Sequence, residues 1–383
     1  MTEVLRGALR QFGTSIFSTV NETAIEHNAV NLSQGSPDFA PPAALLDAAH
    51  EALRNGHHQY PPSIGVPVLR NAVAKHAMAC HGLSYDPDTE VTVTVGATEA
   101  IVSTIGALTE PGDEVVLIEP SYDLYPPAVV AAGCVPRYVP TTFPDFRLDT
   151  DRLAAACGPK TRLIVLNTPW NPTGRVLSAE ELRVVGELAE RYDAYILSDE
   201  AYEHLAYDGH RPVASVPECR DRTVTVSSAS KTLSVTGWRI GWACAPAHLT
   251  NALRRVHQFV TFAAAAPFQH AVGAMLAGAD ESYYAALRHE YAQRRDALLA
   301  YLNKTTLDVL TPEGTFFVLT RCAGDDVEFC MDLVRTAGVA AIPASVFYSD
   351  RTNGAGLVRF AFCKRLETLH QAGERLVRHC GSE

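Results

Sequence analysis

Lysine is scarce in this chain: 383 residues contain only Lys75, Lys160, Lys231, Lys304 and Lys364, so chemistry that needs a lysine amine has five candidates. No run of about 18 uncharged apolar residues occurs, so no membrane-spanning helix is predicted. The stretch Met1 to Phe17 carries Glu3, Arg6 and Arg10 without a long apolar run or a cleavage site, and it does not read as a secretory signal. The nine cysteines are scattered, odd in number and without a C-x-x-C pair. That argues against a disulfide frame or a zinc site and for reduced thiols in the cytoplasm. No H-E-x-x-H occurs among the fourteen histidines, which read as surface or helix residues, and no metal is expected. Repeats and low-complexity tracts are also missing. A net charge of −11 argues against nucleic acid or an anionic membrane as the main partner.

What is present is enough apolar material for a large core, with 47% hydrophobic residues. Seven short apolar runs predict strands: Val91 to Val95, Val115 to Ile118, Arg137 to Val139, Leu163 to Leu166, Tyr195 to Leu197, Thr223 to Val226 and Ile240 to Ala245. Amphipathic stretches such as Glu99 to Leu108 and Ala179 to Arg191 lie between them. This alternation predicts an α/β fold with a mostly parallel, buried sheet between helices. Near residue 280 the pattern changes to one long helix, Glu281 to Asn303, then short strands at Phe316 to Leu319 and Val358 to Phe362 and helices at Val327 to Ala337 and Leu366 to Cys380. The expected organisation is an N-terminal arm over 1–40, a large domain over 41–280 and a smaller α+β domain over 281–383, which the arm joins.

Several segments carry candidate chemistry. Val95-Gly96-Ala97-Thr98 takes a strand through a glycine into a helix, where the amides of Ala97 and Thr98 offer a phosphate site; an ordinary strand-to-helix turn reads the same way. The dinucleotide fingerprint G-x-G-x-x-G is absent, which weighs against a nicotinamide cofactor. Ser227-Ser228-Ala229-Ser230-Lys231 follows another strand, at the end where α/β sheets place ligands, and Arg239 stands eight residues on. Ser228 and Arg239 suit phosphate oxygens. Ser228-x-x-Lys231 also matches the S-x-x-K of serine β-lactamases, but their S-D-N and K-T-G partners are missing. Asp199 closes a buried strand and needs a cationic partner there. Tyr202 is three residues away, and the turn Asn167 to Gly174 can present Asn171 to the same crevice, although its composition also suits a plain turn. Arg359, alone in an apolar strand, needs a carboxylate, which is either structural or a substrate.

Taken in this order, Asn171-Pro172-Thr173-Gly174, Ser198-Asp199-Glu200-Ala201-Tyr202 and the S-x-x-K with its arginine resemble the class I/II aminotransferases, pyridoxal-phosphate enzymes of fold type I. The likeness spans about Asn31 to Leu376. Asn31 to Phe39, Gln59 to Gly65 and Ala341 to Phe347 are similar to the kynurenine, glutamine and methionine aminotransferase branch. The resemblance implies that Lys231 joins pyridoxal 5′-phosphate covalently and later moves a proton between Cα and C4′. It further implies that Asp199 pairs with the ring nitrogen, Asn171 and Tyr202 with the phenolic oxygen, and that Tyr122 stacks on the ring. Ala97, Thr98, Ser228 and Arg239 would hold the phosphate. Tyr60 would reach it from the other subunit of a homodimer. Arg359, with the backbone at Gly35, would grip the substrate α-carboxylate. Two departures bear on substrate: Trp170 where the branch usually has a small or polar residue, and Ser33 and Ser36 where it often has Gly and Phe.

The expected reaction moves an amino group between an amino acid, neutral and large or unusual, and a 2-oxo acid. The same residues also start other chemistry on an amino acid, such as C–S β-elimination, cyclisation or oxidation. A gene regulator with an aminotransferase-like effector domain would need a DNA-binding extension and a basic patch, and neither is expected here.

Overall fold

The computed structural model describes residues 6–13 and 16–381. Each of the seven apolar runs forms a strand: β1 (Val91–Val95), β2 (Glu114–Glu119), β3 (Val135–Pro140), β4 (Thr161–Asn167), β5 (Tyr195–Asp199), β6 (Thr223–Ser228) and β7 (Ile240–Cys244). They pair in the order β1-β7-β6-β5-β4-β2-β3. All neighbours are parallel except β7, which runs against both β1 and β6. The exception has a local cause. Only residues 229–239 connect β6 to β7, fewer than the dozen or so that a parallel crossover needs, so the chain turns straight back.

Helices cover both faces of this sheet, and the alternation along the strands shows why. Val116, Ile164, Leu166 and Ile196 point to one face, where α3 (Ala179–Arg191) packs Leu182, Val185, Leu188 and Ala189 against them. Val115, Leu117, Leu163, Val165 and Leu197 point to the other, under Ile101, Ile105 and Leu108 of α2 (Gly96–Leu108). Period two in the strands meets spacings of three and four in the helices. α3 starts where it does because Ser178 and Glu181 form a reciprocal capping box. Further along the first face lies α1 (Pro67–His81), which has proline in its first turn and stops at Gly82 in the left-handed region.

A second, antiparallel sheet follows: β8 (Asp308–Leu310), β9 (Phe317–Arg321), β10 (Ile342–Pro343) and β11 (Leu357–Ala361), in the order β10-β11-β9-β8. The long helix α4 (Glu281–Leu302) and the last helix α5 (Leu366–Cys380) cover it through Leu298, Leu302, Leu369 and Leu376. Val30–Asn31 pairs with Val339–Ala340 and ties the N-terminal segment to this part. The helix expected over 327–337 is α-helical only over Asp326–Asp332; Leu333–Ala337 widens into a π turn. Among the described residues no helix is long and apolar enough to cross a membrane.

Candidate active site

The carboxyl ends of β4, β5 and β6, the start of α2 and Arg359 of β11 surround one cavity of about 400 Å³. This is the edge of an α/β sheet where loops diverge and leave room for ligands.

One end of the cavity is built for an anion. β1 enters α2 at Gly96 with φ 70°, a conformation open to glycine. A Cβ there would stand 2.5 Å from Arg239 Nη2, and a Cβ on Gly241 would stand 2.4 Å from Gly96 carbonyl carbon. These two glycines therefore let the Arg239 guanidinium lie across the start of α2. Its Nη2 donates to Thr98 Oγ1 at 3.2 Å and its Nη1 to the Thr236 carbonyl at 3.0 Å. The first-turn amides of α2, at Ala97 and Thr98, have no partner within the helix. Ser228 and Ser230 line the same end, and Ser230 Oγ is buried without a hydrogen-bond partner. A buried hydroxyl left so costs about 1–3 kcal/mol unless a ligand completes it. Amides, hydroxyls and a guanidinium together fit a phosphate. Ser230 was not singled out in the sequence because serine beside the lysine carries no pattern of its own; the unpaired burial is what marks it.

The middle of the cavity is acidic below and aromatic at the side. Asn167 and Asp199 end adjacent strands in register, and Asn167 Nδ2 donates to the Asp199 carbonyl at 2.8 Å. Asn167 Oδ1 accepts from the amide of Asn171 at 2.8 Å, which fixes the turn that carries Asn171. Burial pushes the Asp199 pKa up, while Tyr125, the Ala201 amide and the charge of Lys231 pull it back. Tyr125 is the unforeseen member: its hydroxyl donates to Asp199 Oδ2 at 2.7 Å. Tyr122, three residues earlier, meets the Tyr125 ring edge-on and faces the cavity.

Lys231 is the one lysine among the described residues that line the cavity. Its Nζ lies 3.3 Å from the Gly35 carbonyl, 5.0 Å from the Phe316 ring centre and 5.6 Å from that of Tyr202. Gly35 admits no side chain, since a Cβ would come within 2.6 Å of Phe316. Desolvation foremost, helped by Arg359 and Arg239, lowers the Lys231 pKa from 10.5 to about 8.

At the far end stands Arg359, 1% exposed. It donates to Asn171 Oδ1 at 2.9 Å and to the Ser33 carbonyl at 3.0 Å, and its Nε has no partner. Phe317 lies 4.0 Å from the guanidinium and Phe17 5.1 Å. Arg359 forms no ion pair with any described residue. Asp123, which lines the same cavity, acts on Arg359 only as a longer-range charge; of the two partners left open by the sequence, no structural carboxylate pairs with it directly, and a carboxylate-bearing ligand fits.

Three expectations resolve differently from the rest. Tyr60 is 88% exposed and stacks edge-on against Phe262, away from the cavity of its own chain. Trp170 does not face the substrate space: its ring is buried in the core between β4 and α3, and Nε1 donates to the Pro120 carbonyl at 2.9 Å. A residue beside Asn171 in sequence points to the opposite side of the turn. Ser33 and Ser36 act through backbone carbonyls, which accept from Arg359 and Lys364.

Residues 27–376 match the family model described as aminotransferase class I and II. A probable N-succinyldiaminopimelate aminotransferase of Mycobacterium tuberculosis is 44% identical, with 96% of each chain covered. The methionine aminotransferase of Escherichia coli is 41% identical, again over 96% of each chain. A solved Escherichia coli structure with a methionine aminotransferase function superposes with a TM-score of 0.94 at 40% identity, covering 98% of this chain and all 100% of that one.

Proposed function

This chain belongs to the class I and II aminotransferases, and from that premise we propose that it transfers amino groups with pyridoxal 5′-phosphate held on Lys231, acting on amino acids with large neutral side chains. Amino transfer between an amino acid and a 2-oxo acid follows from the family itself. The observation that carries the finer reading is the single cavity in which Lys231, Asp199, Arg239 and the unpaired Arg359 meet.

Pyridoxal phosphate, when bound, supplies an electron-accepting ring conjugated to the substrate nitrogen. The chain's own residues do the rest. Ala97, Thr98, Ser228, Ser230 and Arg239 would hold the phosphate. Asp199, kept in place by Tyr125, would accept a hydrogen bond from the ring N–H and keep that nitrogen protonated. Tyr122 would lie against the ring, and Asn171 and Tyr202 would face its phenolic oxygen. Arg359 would bind the α-carboxylate and so turn the Cα–H bond toward Lys231, whose neutral amine takes the proton. Lys231 is neutral in half the molecules at about pH 8, whereas an ordinary lysine reaches that point at 10.5. Capture of pyridoxal phosphate by the cofactor-free protein is therefore expected to accelerate as pH rises and to level off above about 8. Stopped-flow absorbance checks this, and a midpoint near 10.5 would contradict it.

The side-chain end of the cavity supports a neutral substrate. Phe17 and Phe317 line it together with Asp123, and the cavity's two arginines are taken by the phosphate and carboxylate assignments. Relatives named for methionine and kynurenine fit that chemistry. In a donor panel with 2-oxo acid acceptors, methionine or an aromatic amino acid is expected to exceed aspartate in kcat/KM by roughly 100-fold or more, the effect of an unpaired charge beside Asp123. Aspartate as the best donor would refute the assignment, and release of ammonia without a 2-oxo acid requirement would favour elimination chemistry.

We also propose a homodimer in which Tyr60 of each protomer completes the opposite site. Tyr60 (88% exposed) meets Phe262 (43%) edge-on, and Phe259 (85%), three residues earlier in the chain, is exposed as well; pairing would cover such aromatic surface. Mixing inactive Tyr60→Ala with inactive Lys231→Ala protein after reversible dissociation is expected to restore activity, because hybrids then hold one intact site. If Tyr60 serves its own chain's site, no activity returns. Nine free cysteines, eight of them buried, support a reducing compartment, and we place the protein in the cytoplasm.

A further inference from the structure

Behind the strand ends that carry Tyr202 and Ser228 lies a second buried cluster that the amino-transfer reading does not use. His76 and His81 come from the last turns of α1, and Glu203 and His204 from the segment after β5. The Glu203 carboxylate oxygen Oε2 lies 2.6 Å from His81 Nε2, 3.4 Å from His76 Nε2 and 4.0 Å from His204 Nε2. His76 Nε2 and His204 Nε2 are 3.1 Å apart. The ligand atoms of His76, His81 and Glu203 all lie within 4.8 Å of one another.

We propose that His76 Nε2, His81 Nε2 and the Glu203 carboxylate bind a zinc-type divalent cation, with His204 Nε2 beside the fourth position. Ligands at 2.0–2.2 Å from a tetrahedral ion stand about 3.3–3.6 Å apart. The His76–Glu203 pair is already at 3.4 Å, and the His81–Glu203 contact of 2.6 Å opens when the ion replaces its proton. Imidazole with carboxylate is a donor set that suits zinc. The outer partners are also in place, as ligands at real sites require. Tyr284 Oη lies 3.1 Å from His76 Nδ1, which orients that ring with Nε2 toward the site. Ser227 Oγ donates to the other oxygen of Glu203. The His204 ring stacks on Tyr284 at 3.8 Å and 11°. His81 is the ligand nearest solvent, its side chain 11% exposed while that of Glu203 is 7% exposed. The sequence hid this site because two of its histidines are five residues apart on one helix and the other ligands lie more than a hundred residues on.

Bound there, the ion would join α1 to the ends of β5 and β6 and brace the floor beneath Tyr202 and Ser228. The test uses the cofactor-loaded enzyme, stripped with a chelator and then titrated with Zn²⁺ or Co²⁺. One ion per chain is expected, with cobalt d–d bands at longer wavelengths than the cofactor's own and no thiolate charge-transfer band. Zinc should raise Tm in the wild type. His81→Gln, a change at the most exposed ligand, should weaken binding by more than about 10-fold, the loss that even an outer partner causes, and should remove the Tm response. No binding, a thiolate band, or binding that ignores both His81→Gln and Glu203→Gln would overturn the site. Should either variant fail to fold, the wild-type cobalt spectrum still decides.

Discussion

Lys231→Ala protein loses amino transfer by about four orders of magnitude, the upper range for removing one positioned proton-transfer group, while keeping its fold. The expectation rests on geometry. No other described lysine lines the cavity, so no second amine can take over the proton at Cα or join the cofactor. Lys231→Arg should fail as well, since arginine stays protonated at the enzyme's working pH and cannot accept that proton. The variant should still take up pyridoxal phosphate non-covalently, because the residues proposed to hold the phosphate, Ala97, Thr98, Ser228, Ser230 and Arg239, are untouched. Single-turnover absorbance measures both points. A Lys231→Ala enzyme within tenfold of the wild type would remove the lysine from the chemistry.

The second large effect falls on Arg359. Its guanidinium is 1% exposed, hydrogen-bonded to two neutral oxygens and without an ion-pair partner among the described residues. A buried cation arranged this way costs stability, and burial lowers its pKa from 12.5 to about 10. In the proposed assignment a substrate carboxylate supplies the missing charge. Truncating one side of a buried charge pair costs about 2–5 kcal/mol. Arg359→Gln should therefore lower kcat/KM by roughly 10²–10³-fold, through both binding and the orientation of Cα–H. Arg359→Lys should recover little, because a point charge cannot reproduce the planar fork that Asn171 and Ser33 hold in place. Arg359→Gln should also unfold at a temperature no lower than the wild type, since it removes a buried charge that has no ion-pair partner among the described residues. A large fall in Tm with unchanged kcat/KM would mean that Arg359 serves the fold alone.

How far the sequence reached depended on where each signal lives. Strands such as Leu163 to Leu166 were legible because a sheet covered on both faces demands uninterrupted apolar residues. α3 was legible to the residue because its capping box and apolar spacing agree. The reversal of β7 needed the length of the 229–239 connection, which is present in the sequence but speaks only once both strands are known. Asp199 stood out because its charge closes an apolar strand, and Lys231 and Arg239 because they stand in the short connection between two apolar strands at spacings typical of the family. Tyr125 and Ser230 did not, since their part depends on which face of a turn they occupy. Trp170 misled for the same reason: adjacency to Asn171 along the chain says nothing about the side of the sheet to which the ring turns.

The most direct test of the account is to reduce the cofactor-loaded enzyme with borohydride, digest it and locate the phosphopyridoxyl group by mass spectrometry. The account predicts stoichiometric label on Lys231 and none on Lys75, Lys160, Lys304 or Lys364. Label on another lysine, or no covalent label at all, would contradict it.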